Sequence, residues 1–126
     1  RASGELVLIA EDNEQVRGLM VSVLKTHGFE VAIAVNGTQL LEQAAENRSQ
    51  LRYLVVDIGL PDINGVQCLR QLRREGFTTP TLIISGGSNV EYGDLLDQNT
   101  TEVLKPFGID ELVRIVSQGV AGSQVS

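Results

Sequence analysis

Short apolar runs and helix-spaced stripes alternate along this chain from end to end. Leu6–Ala10 is a continuous apolar run, the pattern of a strand covered on both faces. Val16, Leu19, Met20, Val23 and Leu24 then recur at the spacing of one helical face, and Lys25, His27 and Gly28 supply a C-terminal stop. Glu30–Ala34 predicts a second strand, and Leu40, Leu41, Ala44 and Ala45 a second helix. Residues 53–58 predict a third strand, broken by Gly59-Leu60-Pro61-Asp62, after which Val66, Leu69 and Leu72 form a third helical stripe. Thr81–Ser85 predicts a fourth strand ended by Gly86-Gly87, and Val90, Leu95 and Leu96 suggest a weaker fourth helix. Residues 101–104 predict a short fifth strand, and Ile109, Leu112, Val113, Val116 and Val120 mark a clear fifth helix.

Five strand–helix units in strict alternation define an α/β chain: a single-domain, doubly wound (βα)5 fold with a parallel five-stranded sheet and helices on both faces. Right-handed crossovers leave few topologies for it, and the flavodoxin-like strand order 2-1-3-4-5 is expected. No internal repeat, low-complexity segment or second-domain linker interrupts the alternation. The domain is placed at residues 5–118. Arg1-Ala2-Ser3-Gly4 reads as a cloning remnant, and residues 119–126 have the composition of a C-terminal tail or linker.

Composition narrows the function classes. The 126 residues suit one domain with a working core, and 42% apolar against 21% charged residues is ordinary globular usage. Sixteen acids against ten Lys and Arg leave a net charge of −6. That balance offers no electrostatic footprint for nucleic acid or an anionic membrane. Cys68 is the sole cysteine, so no intramolecular disulfide forms, which points to a reducing, cytoplasmic setting. No apolar run has the length of a membrane span, and the N-terminus lacks the basic-then-apolar order of a signal peptide.

In this architecture chemistry sits at the carboxyl ends of the strands. Strand one ends in Glu11-Asp12, strand three in Asp57 and strand four in Ser85, while Lys105-Pro106 follows strand five. Glu11 and Asp12 can serve as cap and dipole partners of the first helix, in competition with Asn13. Equally, two adjacent acids after a buried strand suit a hard cation, and magnesium takes one or two carboxylates and keeps several waters. Asp57 can be a turn former. Beside Asp12, though, it needs compensation, because two unit charges at ~4 Å repel by about 4 kcal/mol at an effective dielectric near 20. Lys105 or a divalent metal can supply that. Ser85 serves either its own turn or a phosphoryl oxygen, with Gly86 and Gly87 offering bare N–H groups. Lys105 is either a solvated lysine or one aimed by the proline that follows it.

Taken together, Glu11-Asp12, then Asp57-Ile58-Gly59-Leu60-Pro61-Asp62-Ile63-Asn64-Gly65, then Ser85, then Lys105-Pro106-Phe107 resemble the signature of response-regulator receiver domains. The resemblance covers residues 5–118, with four separated motifs in order. It implies a two-component or phosphorelay protein that takes a phosphoryl group onto Asp57 from a phosphohistidine, with Mg2+, and switches conformation to control an output. Asp12 and Asp57 would bind the ion directly, with the backbone carbonyl of Gly59 as a third protein ligand and Glu11 acting mostly through water. Ser85 would hydrogen-bond the phosphoryl group, with Gly86 and Gly59 beside it, and Lys105 would pair with one of its oxygens. The implied partner is a sensor histidine kinase or a histidine phosphotransfer protein, and the implied role is that of a self-phosphorylating and self-dephosphorylating acceptor rather than an enzyme. A free-standing regulator, a transcription-factor receiver and a hybrid-kinase receiver all fit, and a homodimer is among the arrangements the resemblance allows.

The chain also departs from the pattern. Family members usually carry Tyr or Phe three residues before the lysine, where this chain has Glu102, so the aromatic switch and the output surface built on it are open. Gly59 and Gly87 occupy two positions whose side chains commonly tune dephosphorylation. A phosphorylation-independent interaction module on the same fold is one alternative. An aspartate-nucleophile hydrolase would want a second acid where Gly59 stands, and a flavin site would be repelled by Glu11 and Asp12. His27 complements a helix end, Cys68 reads as a packing residue, and Tyr53 and Tyr92 form no aromatic platform.

Overall fold

The computed structural model describes residues 2–87 and 91–124. Its strands are β1 (Leu6–Ala10), β2 (Glu30–Ala34), β3 (Leu51–Asp57), β4 (Thr81–Ser85) and β5 (Thr100–Leu104). They form one parallel sheet in the order β2-β1-β3-β4-β5. The expected α/β architecture and strand order both hold. The alternation of side chains across the pleat explains the two-sided core. Leu8, Ala10, Leu54, Val56 and Ile83 bury one face and Val7, Ile9, Tyr53, Val55, Leu82 and Ile84 the other.

Helices cover both faces. Helix α1 (Glu14–Thr26) and helix α4 (Ile109–Gln124) seat Met20, Leu24, Leu112, Val116 and Val120 on one side. Helix α2 (Gly37–Glu46) and helix α3 (Gly65–Arg74) seat Leu40, Ala44, Val66, Leu69 and Leu72 on the other. Three of these helices begin alike. Asn13, Asn36 and Asn64 accept from the backbone N–H of Val16, Gln39 and Gln67 at 3.0, 2.8 and 2.9 Å. Each thereby satisfies one of the orphan donors of a first turn.

Three local differences from the sequence pattern have physical causes. Strand β3 begins at Leu51, because Leu6 pairs with Leu51 and Val7 with Tyr53. Arg52 is the extra residue of that bulge and is exposed. Among the described residues the fourth connection holds a single 3-10 turn, Gly93–Leu95, instead of a helix; Val90, part of that expected stripe, lies outside the described residues. Gly93 and Asp94 favour a turn over a propagating helix, while Tyr92, Leu95 and Leu96 still pack on the α2–α3 face. Helix α4 also continues past Gln118 to Gln124, drawing on residues whose composition suggests a tail, with Val120 buried. No helix among the described residues is long and apolar enough to cross a membrane.

Candidate functional site

The carboxyl edge of the sheet gathers the charged groups that end its apolar runs. Asp57 closes β3 and is 4% exposed, and Glu11, one residue past β1, is fully buried. Asp12 is exposed beside them, and one carboxylate oxygen from each of the three lies within 4.8 Å of the others. Asn13 takes the cap of α1, which frees Glu11 and Asp12 from that task. Arg17, on the first turn of α1, holds the approach by donating to the Glu11 carbonyl at 3.1 Å and the Asp12 carbonyl at 3.4 Å.

Lys105 crosses from the end of β5 to donate its ammonium to Asp57 Oδ2 at 2.7 Å. Its backbone N–H donates to the Ser85 carbonyl at 2.8 Å, and the peptide to Pro106 is cis. The second oxygen of Asp57 accepts from the Gly59 N–H at 2.8 Å. A Cβ on Gly59 would stand 3.3 Å from that oxygen, so this close approach suits glycine. The bond to Asp57 raises the pKa of Lys105 and keeps it cationic.

Glu11 is the electrostatic outlier. One of its oxygens accepts from the Asn13 N–H at 3.0 Å, while Oε1 is buried with no hydrogen-bond partner. Burial first, and the neighbouring Asp57 carboxylate second, push its pKa up from 4.5 to about 7. Unpaired buried carboxylate oxygens are costly, and a cluster of three acids with one lysine holds more negative than positive charge. Hard oxygen donors of this kind, converging with an orphaned lone pair, fit a divalent cation such as magnesium.

Ser85 is 3% exposed at the end of β4, and its Oγ accepts from the Gly87 N–H at 3.2 Å. Gly86 stands against the Lys105 stem, with Lys105 Cδ 3.9 Å from where its Cβ would be. The structure thus joins Glu11, Asp12, Asp57, Gly59 and Lys105 directly. Ser85 and Gly86 lie on the adjacent strand end, Ser85 in register with Leu104.

Some contributors escaped the sequence reading. Arg17 is one. Asp62 is a second: at a left-handed φ of 62° its carboxylate accepts from Gly37 N at 2.8 Å and from the Thr38 hydroxyl at 2.6 Å. These bonds, that of Thr38 foremost, hold Asp62 below the usual carboxylate range. They bolt the loop after Asp57 to the start of α2. Tyr92 is a third, its phenol donating to Glu102 Oε2. A basic residue four positions after the Asn13 cap hints at Arg17, but the long-range pairs leave no local trace in sequence.

The family model of the response regulator receiver domain matches residues 7–117. Over 109 residues, 85% of this chain, it is 33% identical to the uncharacterized transcriptional regulatory protein YkoG of Bacillus subtilis, covering 47% of that protein. It is 34% identical over 109 residues to the transcriptional regulatory protein PrrA of Mycobacterium tuberculosis, covering 85% of this chain and 46% of PrrA. The chain therefore spans about half the length of these curated relatives. The crystal structure of the receiver domain from the hybrid histidine kinase CckA is 30% identical, with a TM-score of 0.78 over 91% of this chain and 98% of that one. The receiver domain of the Francisella response regulator 1452 shares the fold at 24% identity, with a TM-score of 0.86 over 96% of this chain and 100% of the other. With the fold, the strand-end cluster and these likenesses in agreement, the chain belongs to the response regulator receiver domain family of two-component signalling.

Proposed function

We propose that this edge of the sheet accepts a phosphoryl group on Asp57. The observation that carries the reading is the Lys105 ammonium seated 2.7 Å from Asp57 Oδ2, next to a buried Glu11 oxygen that has no partner. Asp57 is the nucleophile. Its carboxylate oxygen forms a bond to phosphorus as the bond from phosphorus to the donor's imidazole nitrogen breaks, and the imidazole leaves with the electron pair. The transition state is loose and its charge lies on the peripheral oxygens, so positioned cations and donors provide most of the acceleration. Lys105 and the Ser85 hydroxyl are such groups, with the N–H groups of Gly86 and Gly59 beside them.

Asp12 and Asp57, with Glu11 behind them and the Gly59 carbonyl alongside, would hold Mg2+, the ion the family generally uses. When bound, the ion neutralises acidic charge and polarises phosphoryl oxygens. The donor is a histidine kinase or a phosphotransfer protein in the cytoplasm. An apolar groove lined by Val16, Leu19, Met20, Phe107 and Ile109 adjoins Lys105, and Leu19 is 59% exposed there, which suits the approach of such a protein. The domain acts as an acceptor and switch, with a packed core that extends to Val120 on α4.

Intact-mass analysis after incubation with acetyl phosphate and Mg2+ tests this. The expected result is one phosphoryl adduct on the wild type and none on Asp57→Asn or in EDTA. An unmodified wild type would favour the phosphorylation-independent interaction module instead.

A further inference from the structure

The loop from Asp57 to α3 carries the Gly59 peptide to the acceptor carboxylate, and its outer part is tied to a helix that the acceptor chemistry does not use. Ile58 is fixed at one end, its N–H donating to the Ile84 carbonyl and its carbonyl accepting from the Gly65 N–H, both at 3.1 Å. Leu60 packs into the core and sets the loop's depth, but apolar burial is non-directional. Among the described residues, the hydrogen bonds that leave residues 60–63 go to the first turn of α2, besides a weak thiol contact from Cys68 to the Ile63 carbonyl at 3.7 Å. The Gly37 N–H donates to Asp62 Oδ1 at 2.8 Å and to the Pro61 carbonyl at 3.4 Å. The Thr38 N–H and hydroxyl donate to Asp62 Oδ2 at 3.3 and 2.6 Å.

That turn is built to take a carboxylate. The first N–H groups of a helix have no partner within it and form the positive end of its dipole. Asn36 caps the Gln39 N–H, and Asp62 takes the two donors ahead of it. Asp62 also makes the bend itself, at a φ of 62°, a conformation that Asp and Asn tolerate better than other residues with a Cβ. With both oxygens so engaged, it stands outside the cluster of Glu11, Asp12 and Asp57 that suits a cation.

We propose that Asp62 is a positioning residue for the acceptor site: seated on α2, its carboxylate fixes the direction of the loop and so holds the Gly59 peptide at Asp57. This rests on the reading of Asp57 as the acceptor and of the Gly59 carbonyl as an ion ligand. The Gly59 N–H donates to Asp57 Oδ1 at 2.8 Å, but a glycine restricts its own dihedrals least of all residues. The direction of its carbonyl is therefore set by where the following residues are tied. Partners that orient a metal ligand from behind are worth roughly 10–100-fold in affinity.

Nuclear magnetic resonance of the metal-free protein supplies a readout separate from phosphoryl transfer. Asp62→Gly keeps the left-handed bend and deletes the carboxylate, and Thr38→Val deletes the hydroxyl from the other side. In both, the Gly59 amide cross-peak should shift or broaden, more in Asp62→Gly, while the amides of Leu8 on β1 and Ile83 on β4 stay in place. The Mg2+ concentration giving half-maximal adduct formation with acetyl phosphate should rise about tenfold in Asp62→Gly. Asp62→Asn, which retains the bend and one acceptor oxygen, should recover part of that loss. An unmoved Gly59 amide or an unchanged Mg2+ requirement in Asp62→Gly would overturn the proposal while leaving Asp57 as acceptor. A wild type that takes no adduct would overturn both.

Discussion

Glu11 is the residue at which burial and charge conflict most. It faces Asp57 on β3, Asp12 and the Asn13 N–H in its own loop, and Lys105 after β5. Its pKa rises on folding, from 4.5 to about 7. The folded state therefore favours the protonated acid: the associated stability is fully present below pH 4.5 and is lost as pH rises through about 7. A rise of that size corresponds to roughly 3 kcal/mol at 1.36 kcal/mol per tenfold. Without divalent ions, urea unfolding should show the wild type losing up to that amount between pH 5 and pH 8 relative to Glu11→Gln. Parallel pH curves for the two proteins would refute the assignment. Sequence alone marks the acidic pair but not which member is buried, because that depends on Asn13 taking the cap and on the depth of β1 in the sheet.

At the scale of elements, the loop from Asp57 to α3 is held by contacts that sequence does not announce. Gly37 opens α2 against it: a Cβ there would stand 2.2 Å from the Ile63 carbonyl oxygen and 2.9 Å from Cys68 Sγ. Gly37→Ala should cost about 1–3 kcal/mol, the usual range for overpacking. Gly18, mid-way along α1, has nothing within 4 Å of its would-be Cβ. Gly18→Ala should stabilise by about 0.5–1 kcal/mol. Opposite signs in urea melts of the two variants are the expected outcome. The same contrast explains what was legible. The strands announce themselves because a parallel sheet buried on both faces demands apolar runs, as in Leu6–Ala10 and at residues 82–84. The helices α1 and α4 do so through their stripes. The fourth connection misleads because Leu95 and Leu96 are core contacts made from a turn, and apolar spacing cannot tell a docked turn from a short helix. Asp62 and Tyr92 meet partners 25 and 10 positions away, beyond any local pattern.

For the whole molecule, the site is where four strand ends and the start of α1 converge, so anything that binds there ties both halves of the core together. An ion that binds the folded chain alone stabilises it by about 2.7 kcal/mol at one hundred times its dissociation constant. For a chain of this length that is a rise in melting temperature on the order of 10 °C. Thermal unfolding followed by circular dichroism should show that rise on adding Mg2+ to the wild type and little change in Asp12→Asn. An unresponsive wild type would remove the ion from the account of the site.

The lone oxygen of Glu11 has a consequence for exchange with the surroundings. Burial and the neighbouring Asp57 carboxylate favour the protonated form of that side chain, so the proposed cation would have to displace hydrogen ion on loading the site. Were the proposed cation bound there, acidity and divalent supply would act as antagonists at one carboxyl group: a fall in pH would favour the empty site, and abundant cation the loaded one.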